Sequence, residues 1–199
     1  MRIGIIGQGR VGSALQGGWT RAGHDVRMAG RSTVPGIAEA ADWAEVLVLA
    51  VPYAALDAVT GQIGGAAGKV IIDCTNPIAM GPDGMGLALG HTTSGAERLQ
   101  ALLPHARVVK TLNQVGAEVM ADTSGFAQRP VQFLAGDDDE AKQAVAGLLS
   151  DLGFEPLDAG GLTKARLLEP LALVWINQAI GQKKGRDWAL GAMPRGATA

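Results

Sequence analysis

Residues 2–12 read Arg2-Ile3-Gly4-Ile5-Ile6-Gly7-Gln8-Gly9-Arg10-Val11-Gly12. A short apolar run leads into glycines spaced G-x-G-x-x-G, and a helical pattern follows. This is the strand–turn–helix signature that opens a dinucleotide-binding fold. Gly7 permits a tight turn out of the strand, Gly9 lets backbone approach a pyrophosphate, and Gly12 lets the first helix lie close to the sheet. The free N–H groups and positive end of that helix then face the phosphates. Glycine fills 29 of 199 positions, so the spacing alone is weak and the flanking strand and helix must carry the reading.

The flanks agree. Val11, Leu15 and Trp19 form one stripe of a helix expected over Arg10–Ala22, with Gly23 as its left-handed stop. Further apolar runs predict strands at Asp25–Ala29, Glu45–Val51, Lys69–Asp73, Arg107–Leu112, Val131–Ala135 and Phe154–Leu157. Val46–Val51 does not alternate with polar residues, which marks a central strand buried on both faces. Helices are expected at Tyr53–Ile63, Ala96–Leu103, Asp138–Leu152 and Ala165–Gln182, the last bent at Pro170. Ile78–Ser94, rich in Gly, Met and Thr, shows no clear period and reads as a loop of the kind that is functional or mobile. The pattern is α/β: a single Rossmann domain, doubly wound with a mostly parallel sheet, over residues 1–160. A short C-terminal helix and tail over 161–199 pack on it or on a partner subunit.

Arg31 stands nineteen residues beyond Gly12, where this fold reads the adenosine ribose. No Asp or Glu occurs among residues 29–34, so Arg31 and Ser32 point to the 2′-phosphate of NADP rather than to NAD. Arg10 admits two readings, a further ligand of that phosphate or a solvent-facing residue of the first turn. Ligands of such sheets bind beyond the carboxyl ends of the strands. That directs attention to Ala50-Val51-Pro52-Tyr53, Asp73-Cys74-Thr75-Asn76-Pro77 and Thr111-Leu112-Asn113-Gln114-Val115. Pro52 and Pro77 stop their strands, and the amides of Asn76 and Asn113 suit a nicotinamide carboxamide or serve as turn formers.

Composition excludes several classes. The balance of 17 basic and 19 acidic residues leaves no electrostatic footprint for nucleic acid. A single cysteine, Cys74, rules out an internal disulfide framework. No apolar run has the ~18 residues of a membrane helix, and no signal-peptide pattern precedes the first strand, so a cytoplasmic protein is expected.

Acid–base candidates are few. His24 and His105 precede strands, at the end away from the crevice; His91 falls in the long loop. Lys110 reads as structural or cofactor-orienting, and Cys74 as a core residue or an active thiol. Leu171, Val174 and Trp175 are core, pocket wall or dimer seam, and Lys183, Lys184 and Arg186 are a solvated helix end or an attraction for an anionic acceptor. With no clear proton donor and no large substrate domain, hydride transfer between two cofactors fits best. The alternatives are an imine or carbonyl reductase using His91, Lys110 or a water as proton source, and a non-enzymatic nucleotide-sensing or partner-binding protein.

Several segments together resemble a known group: Gly7-Gln-Gly-Arg-Val-Gly12, Gly30-Arg-Ser32, Asp73-Cys-Thr-Asn-Pro77, Val108-Val-Lys-Thr-Leu-Asn113, Gly153-Phe-Glu-Pro-Leu-Asp-Ala-Gly160 and Leu168-Glu-Pro-Leu-Ala-Leu-Val-Trp-Ile176. They resemble the NADPH-dependent reductases related to F420-dependent NADP oxidoreductases, whose domains also supply NADPH in transmembrane metalloreductases. The resemblance implies NADP(H) held by Gly7–Val11, Arg31 and Ser32, with a hydride acceptor near Asn76, Pro77 and Asn113. F420, FMN or FAD is the expected acceptor, and a homodimer is the expected assembly. A basic residue common after the arginine in that family is replaced here by Val34-Pro35-Gly36.

Overall fold

The computed structural model describes residues 1–30, 36–64, 66–193 and 195. Elements follow in the order β1 (Arg2–Ile6), α1 (Arg10–Arg21), β2 (Asp25–Ala29), α2 (Ile37–Trp43), β3 (Val46–Leu49), α3 (Leu56–Ile63), β4 (Val70–Asp73), β5 (Ile78–Gly81), β6 (Gly84–Leu87), α4 (Gly95–Leu102), β7 (Arg107–Lys110), α5 (Ala117–Ala121), β8 (Val131–Gly136), α6 (Asp139–Asp151), β9 (Glu155–Asp158) and α7 (Ala165–Ile176). Seven strands form one sheet in the order β2-β1-β3-β4-β7-β8-β9. The first five strands of that order run parallel, β8 turns antiparallel to β7, and β9 is parallel to β8.

The sheet is covered on both faces. Ile5, Val48, Ile72 and Val109 point into one core with Leu15 and Trp19 of α1. Ile6, Leu47, Leu49, Ile71 and Val108 point into the other, under α2, α3 and α4. Alternate side chains thus enter different apolar layers, which is why the strands show no polar alternation. Trp19 is fully buried and its indole Nε1 donates to the Leu148 carbonyl at 2.9 Å, tying α1 to α6. Gly23, at φ 90°, ends α1 as its sequence position implies.

Several expectations need correction. Only residues 88–94 of Ile78–Ser94 form an irregular loop: Ile78 pairs with Leu87 and Gly81 with Gly84 in an antiparallel hairpin over the first part. Its turn holds Pro82-Asp83 before Gly84, at φ 102°. Exposure of Met80 and Met85 left no buried face to generate a period-two signal. The helix expected over Ala165–Gln182 is α-helical only to Ile176, contains Pro170, and finishes in a π-helical turn over Asn177–Gly181. Tyr53–Ala55 is a 3-10 turn leading into α3, and α2 and α5, of seven and five residues, were too short to stand out.

Candidate active site

β2 lies on one side of β1 and β3 on the other, so the chain reverses its winding direction between β1 and β3. A crevice opens at the carboxyl ends of strands at such a point. Gly7 makes the turn into α1 with φ 124°, and a Cβ there would stand 2.2 Å from the Ala50 carbonyl oxygen. A Cβ on Gly12 would stand 2.0 Å from the Gly7 oxygen, so the turn closes only without side chains at both positions. Around Gly9 the space is open. No side chain caps α1 and its first turn carries no acid, leaving the N–H groups of that turn for an anion.

Two cavities flank the turn. One, of about 360 Å³, is lined by Gly9, Arg10, Val11, Ala50, Val51, Cys74, Asn76, Leu112 and Asn113, and by Trp175, Ile176 and Arg186 from the C-terminal region. The other, of about 320 Å³, is lined by Gly7, Gln8, Gly30, Val51 and Pro52 among others. Most residues singled out in the sequence therefore converge. Gly12 lies beneath the turn. Pro77 lines neither cavity; its carbonyl accepts from Ala88 N at 2.7 Å and closes the base of the hairpin. Arg31 and Ser32 lie outside the described residues, although Gly30 before them borders the second cavity. His91, at φ 54°, is elsewhere: it lines a larger cavity of about 720 Å³ between the segment after β6 and α7.

Asn76 and Asn113 are not two independent amides. Asn113 Nδ2 donates to Asn76 Oδ1 at 3.0 Å and to the Leu168 carbonyl at 3.2 Å. Asn76 Nδ2 returns a bond to the Asn113 carbonyl at 2.9 Å. Gln114 Nε2 donates to Asn113 Oδ1 at 2.9 Å and to the Phe133 carbonyl at 3.1 Å. Arg10 also has an internal partner, forming an ion pair with Glu118 of α5.

Below the crevice lies a buried charge cluster. The register of β4 and β7 sets Asp73 beside Lys110. Lys110 Nζ is 3.0 Å from Asp73 Oδ2, 3.0 Å from Glu169 Oε1 of α7, and 2.5 Å from the Thr75 carbonyl it bonds. All three side chains are at most 1% exposed. Burial works against the Lys110 ammonium, but Asp73 and Glu169 together outweigh it and its pKa is raised. Glu169 also accepts from Gly95 N at 3.0 Å and Ala96 N at 3.3 Å, the first turn of α4. Lys110 therefore joins β4, β7 and α7 beneath the crevice and is not itself among the residues lining it. Burial, reinforced by Asp73, pushes the Cys74 thiol far above its ordinary pKa despite Lys110, so Cys74, which lines the cavity and packs against the core, carries a neutral thiol.

The reading of the sequence missed Glu169 and Glu118. Glu169 had a signal, being the only acid within the apolar stretch Leu167–Ile176, where a charge requires a buried partner. Glu118 had none that distinguishes it from a surface acid.

The fold and its glycine turn place the chain among Rossmann-type dinucleotide-binding proteins. It belongs to the coenzyme F420-dependent NADP oxidoreductase family. The family profile described as NADP oxidoreductase, coenzyme F420-dependent, matches residues 2–41 and 32–77. A candidate F420-dependent NADP reductase of known structure from Arthrobacter sp. FB24 superposes with a TM-score of 0.86 at 30% identity, over 96% of this chain and 100% of that one. The F420-dependent NADP reductase of Methanothermobacter marburgensis is 34% identical over 149 residues, 70% of this chain and 65% of that protein. Metalloreductase STEAP3 of Rattus norvegicus is 30% identical over 187 residues, 86% of this chain but only 36% of that protein. The chain thus spans about a third of the metalloreductase and just under two thirds of the methanogen reductase. Among the described residues no helix is long and apolar enough to cross a membrane.

Proposed function

We propose that the protein is an NADP(H)-dependent oxidoreductase passing hydride between the nicotinamide and a flavin-like or deazaflavin acceptor, with F420, FMN and FAD as the candidates. The observation that carries this reading is what the crevice contains. Its titratable side chains, among the described residues, are Arg10, Cys74 and Arg186. Guanidinium groups hold their protons, and the Cys74 thiol is held neutral by burial. None is suited to exchanging a proton near neutral pH, as reduction of a simple carbonyl would require. An acceptor ring that takes the hydride itself makes no such demand, and the protein then supplies alignment and a dry surface.

The residues fit a dinucleotide. Open space at Gly9 and the uncapped first turn of α1 form a cradle for the pyrophosphate. When bound, the cofactor supplies the hydride. Asn76 retains one N–H and one lone pair after its bonds with Asn113, the pair of groups needed to read a carboxamide. Leu112, Trp175 and Ile176 supply apolar wall that excludes water from the reacting face. Arg31 and Ser32 hold the 2′-phosphate.

Stopped-flow mixing of NADPH-loaded protein with F420, FMN and FAD tests the proposal. Rapid oxidation by at least one is expected. Inertness towards all three, together with turnover of imines or carbonyls, would transfer the reading to a reductase of small molecules.

A further inference from the structure

The chain beyond α7 turns back over the domain. Lys183 and Gly185 adopt φ of 58° and 85°, reversing its direction after the π-helical turn. Trp188 then stacks on Trp175, with centroids 5.5 Å apart and ring planes 23° apart. Trp175 Nε1 donates to the Trp188 carbonyl at 3.1 Å, and the Lys184 ammonium lies 4.3 Å from the Trp188 ring centroid. Two residues on, the Leu190 carbonyl accepts from Val131 N at 2.8 Å, at the start of β8. The segment is therefore a strap that leaves α7 and is fastened at Trp188 and again at Leu190. Its seat depends on Gly116, where a Cβ would stand 2.7 Å from the Arg186 oxygen and 3.1 Å from the Trp175 ring.

Arg186 lies between the π-helical turn and the first fastening at Trp188, and lines the same cavity as Gly9, Arg10 and Asn76. The two arginines there differ. Arg10 is neutralised by Glu118, whereas Arg186 has no ion-pair partner among the described residues. A guanidinium with no ion-pair partner, on a residue lining the same cavity as an uncapped helix N-terminus, provides charge and directed donors for a phosphate group. The strap borders the Gly9–Val11 cavity and not the cavity at Gly30, the residue before Arg31 in sequence, which separates its anion from the 2′-phosphate.

We propose that Arg186 is a second arm of the anion site, closing on the cofactor pyrophosphate from across the crevice, and that the C-terminal strap is part of the cofactor site. This rests on the dinucleotide reading above. The pyrophosphate is common to both nicotinamide cofactors, so Arg186→Ala should weaken NADPH and NADH alike, by about tenfold or more for loss of a charged hydrogen bond. The preference between the two cofactors should not change.

Calorimetric titration of the full chain with NADPH and with NADH makes the test. Arg186→Lys should recover part of the loss. Arg2→Gln, removing an exposed charge at the amino end of β1 and away from the crevice, should leave both affinities as in wild type. Trp188→Ala, which unfastens the strap and keeps the arginine, should reproduce the Arg186→Ala loss. Wild-type affinities in Arg186→Ala, or a loss confined to NADPH, would overturn the assignment while leaving the dinucleotide reading intact. A wild-type protein that binds neither cofactor would remove both.

Discussion

Asn113 spends both hydrogens of its side-chain amide, one on Asn76 Oδ1 at 3.0 Å and one on the Leu168 carbonyl at 3.2 Å. Asn76 spends only one, on the Asn113 backbone at 2.9 Å. The two residues resemble each other in sequence but differ in what they can still bind. Asn76 has donor and acceptor capacity left for a ligand, and Asn113 fixes the orientation of Asn76 while joining the end of β7 to α7. Asn76→Ala, which unpairs one Asn113 amide hydrogen and the Asn113 carbonyl, should slow hydride transfer and cost less stability than Asn113→Ala. Asn113→Ala should lower both, with a stability loss of roughly 1–3 kcal/mol from the groups left unpaired. Denaturant titration beside single-turnover kinetics separates the two roles. Equal stability losses in both variants would refute the division.

Arg31 supplies the second prediction, from its position after β2. Arg31→Ala should weaken NADPH by about tenfold or more through loss of a bidentate pair with the 2′-phosphate, and leave NADH almost unchanged. Fluorescence titration with each cofactor measures the ratio. This pattern is the opposite of the uniform loss expected at Arg186, so the two arginines can be assigned to different phosphates in one experiment.

Lys110 is held by two buried carboxylates, so its removal strands charge in the core. Lys110→Met should cost about 3–5 kcal/mol. Replacing Asp73, Lys110 and Glu169 together by apolar residues should recover part of that loss, because no unpaired ion then remains. The raised pKa of Lys110 also fixes a pH dependence. Its contribution is complete below the unfolded lysine value of about 10.4 and is lost as pH rises through the higher folded value. Wild type should accordingly show a steeper alkaline decline in stability than the triple variant when midpoints are compared across pH.

The acid limb has a different origin. Arg166 donates to Glu97 through Nε at 2.9 Å and Nη2 at 2.5 Å, linking α7 to α4. The Arg166 bonds, with help from Ser94, hold the Glu97 pKa below its usual value despite partial burial. A lowered folded-state pKa gives stability that is present above about 4.3 and lost as pH falls through the folded value. Glu97→Gln should flatten the decline below that pH while changing the neutral midpoint little, since the pair is partly exposed. Thermal melts from neutral pH down to the acid transition provide the comparison.

Much of the architecture was legible because its causes are local. A glycine turn between an apolar run and the Val11–Leu15–Trp19 stripe fixes β1 and α1, and strands buried on both faces announce themselves by unbroken apolar sequence. The antiparallel entry of β8 and the hairpin over Ile78–Leu87 were not legible. Strand direction depends on where the chain is carried between strands, and the hairpin presents mostly exposed side chains. Gly7 and Gly9 stand out by their spacing, and Asn76 and Asn113 by their places at strand ends, and these residues border the crevice cavities; His91, read from its place in the long loop, lies in another cavity.

The sequence by itself determined a Rossmann framework, a glycine turn for a dinucleotide and an arginine after β2, since each depends on backbone constraints or periodicity within a few neighbouring residues. Tertiary structure alone decided which groups near that turn remain available. Lys110 meets Asp73 across 37 positions of sequence, and Glu169 reaches the Gly95 N–H across 74. Arg10 is taken up by Glu118, and Arg186 is carried back to the crevice by a stacked tryptophan pair. Charge and hydrogen-bonding capacity are consumed by whatever lies nearby in space, and proximity of that kind has no local signature in the chain.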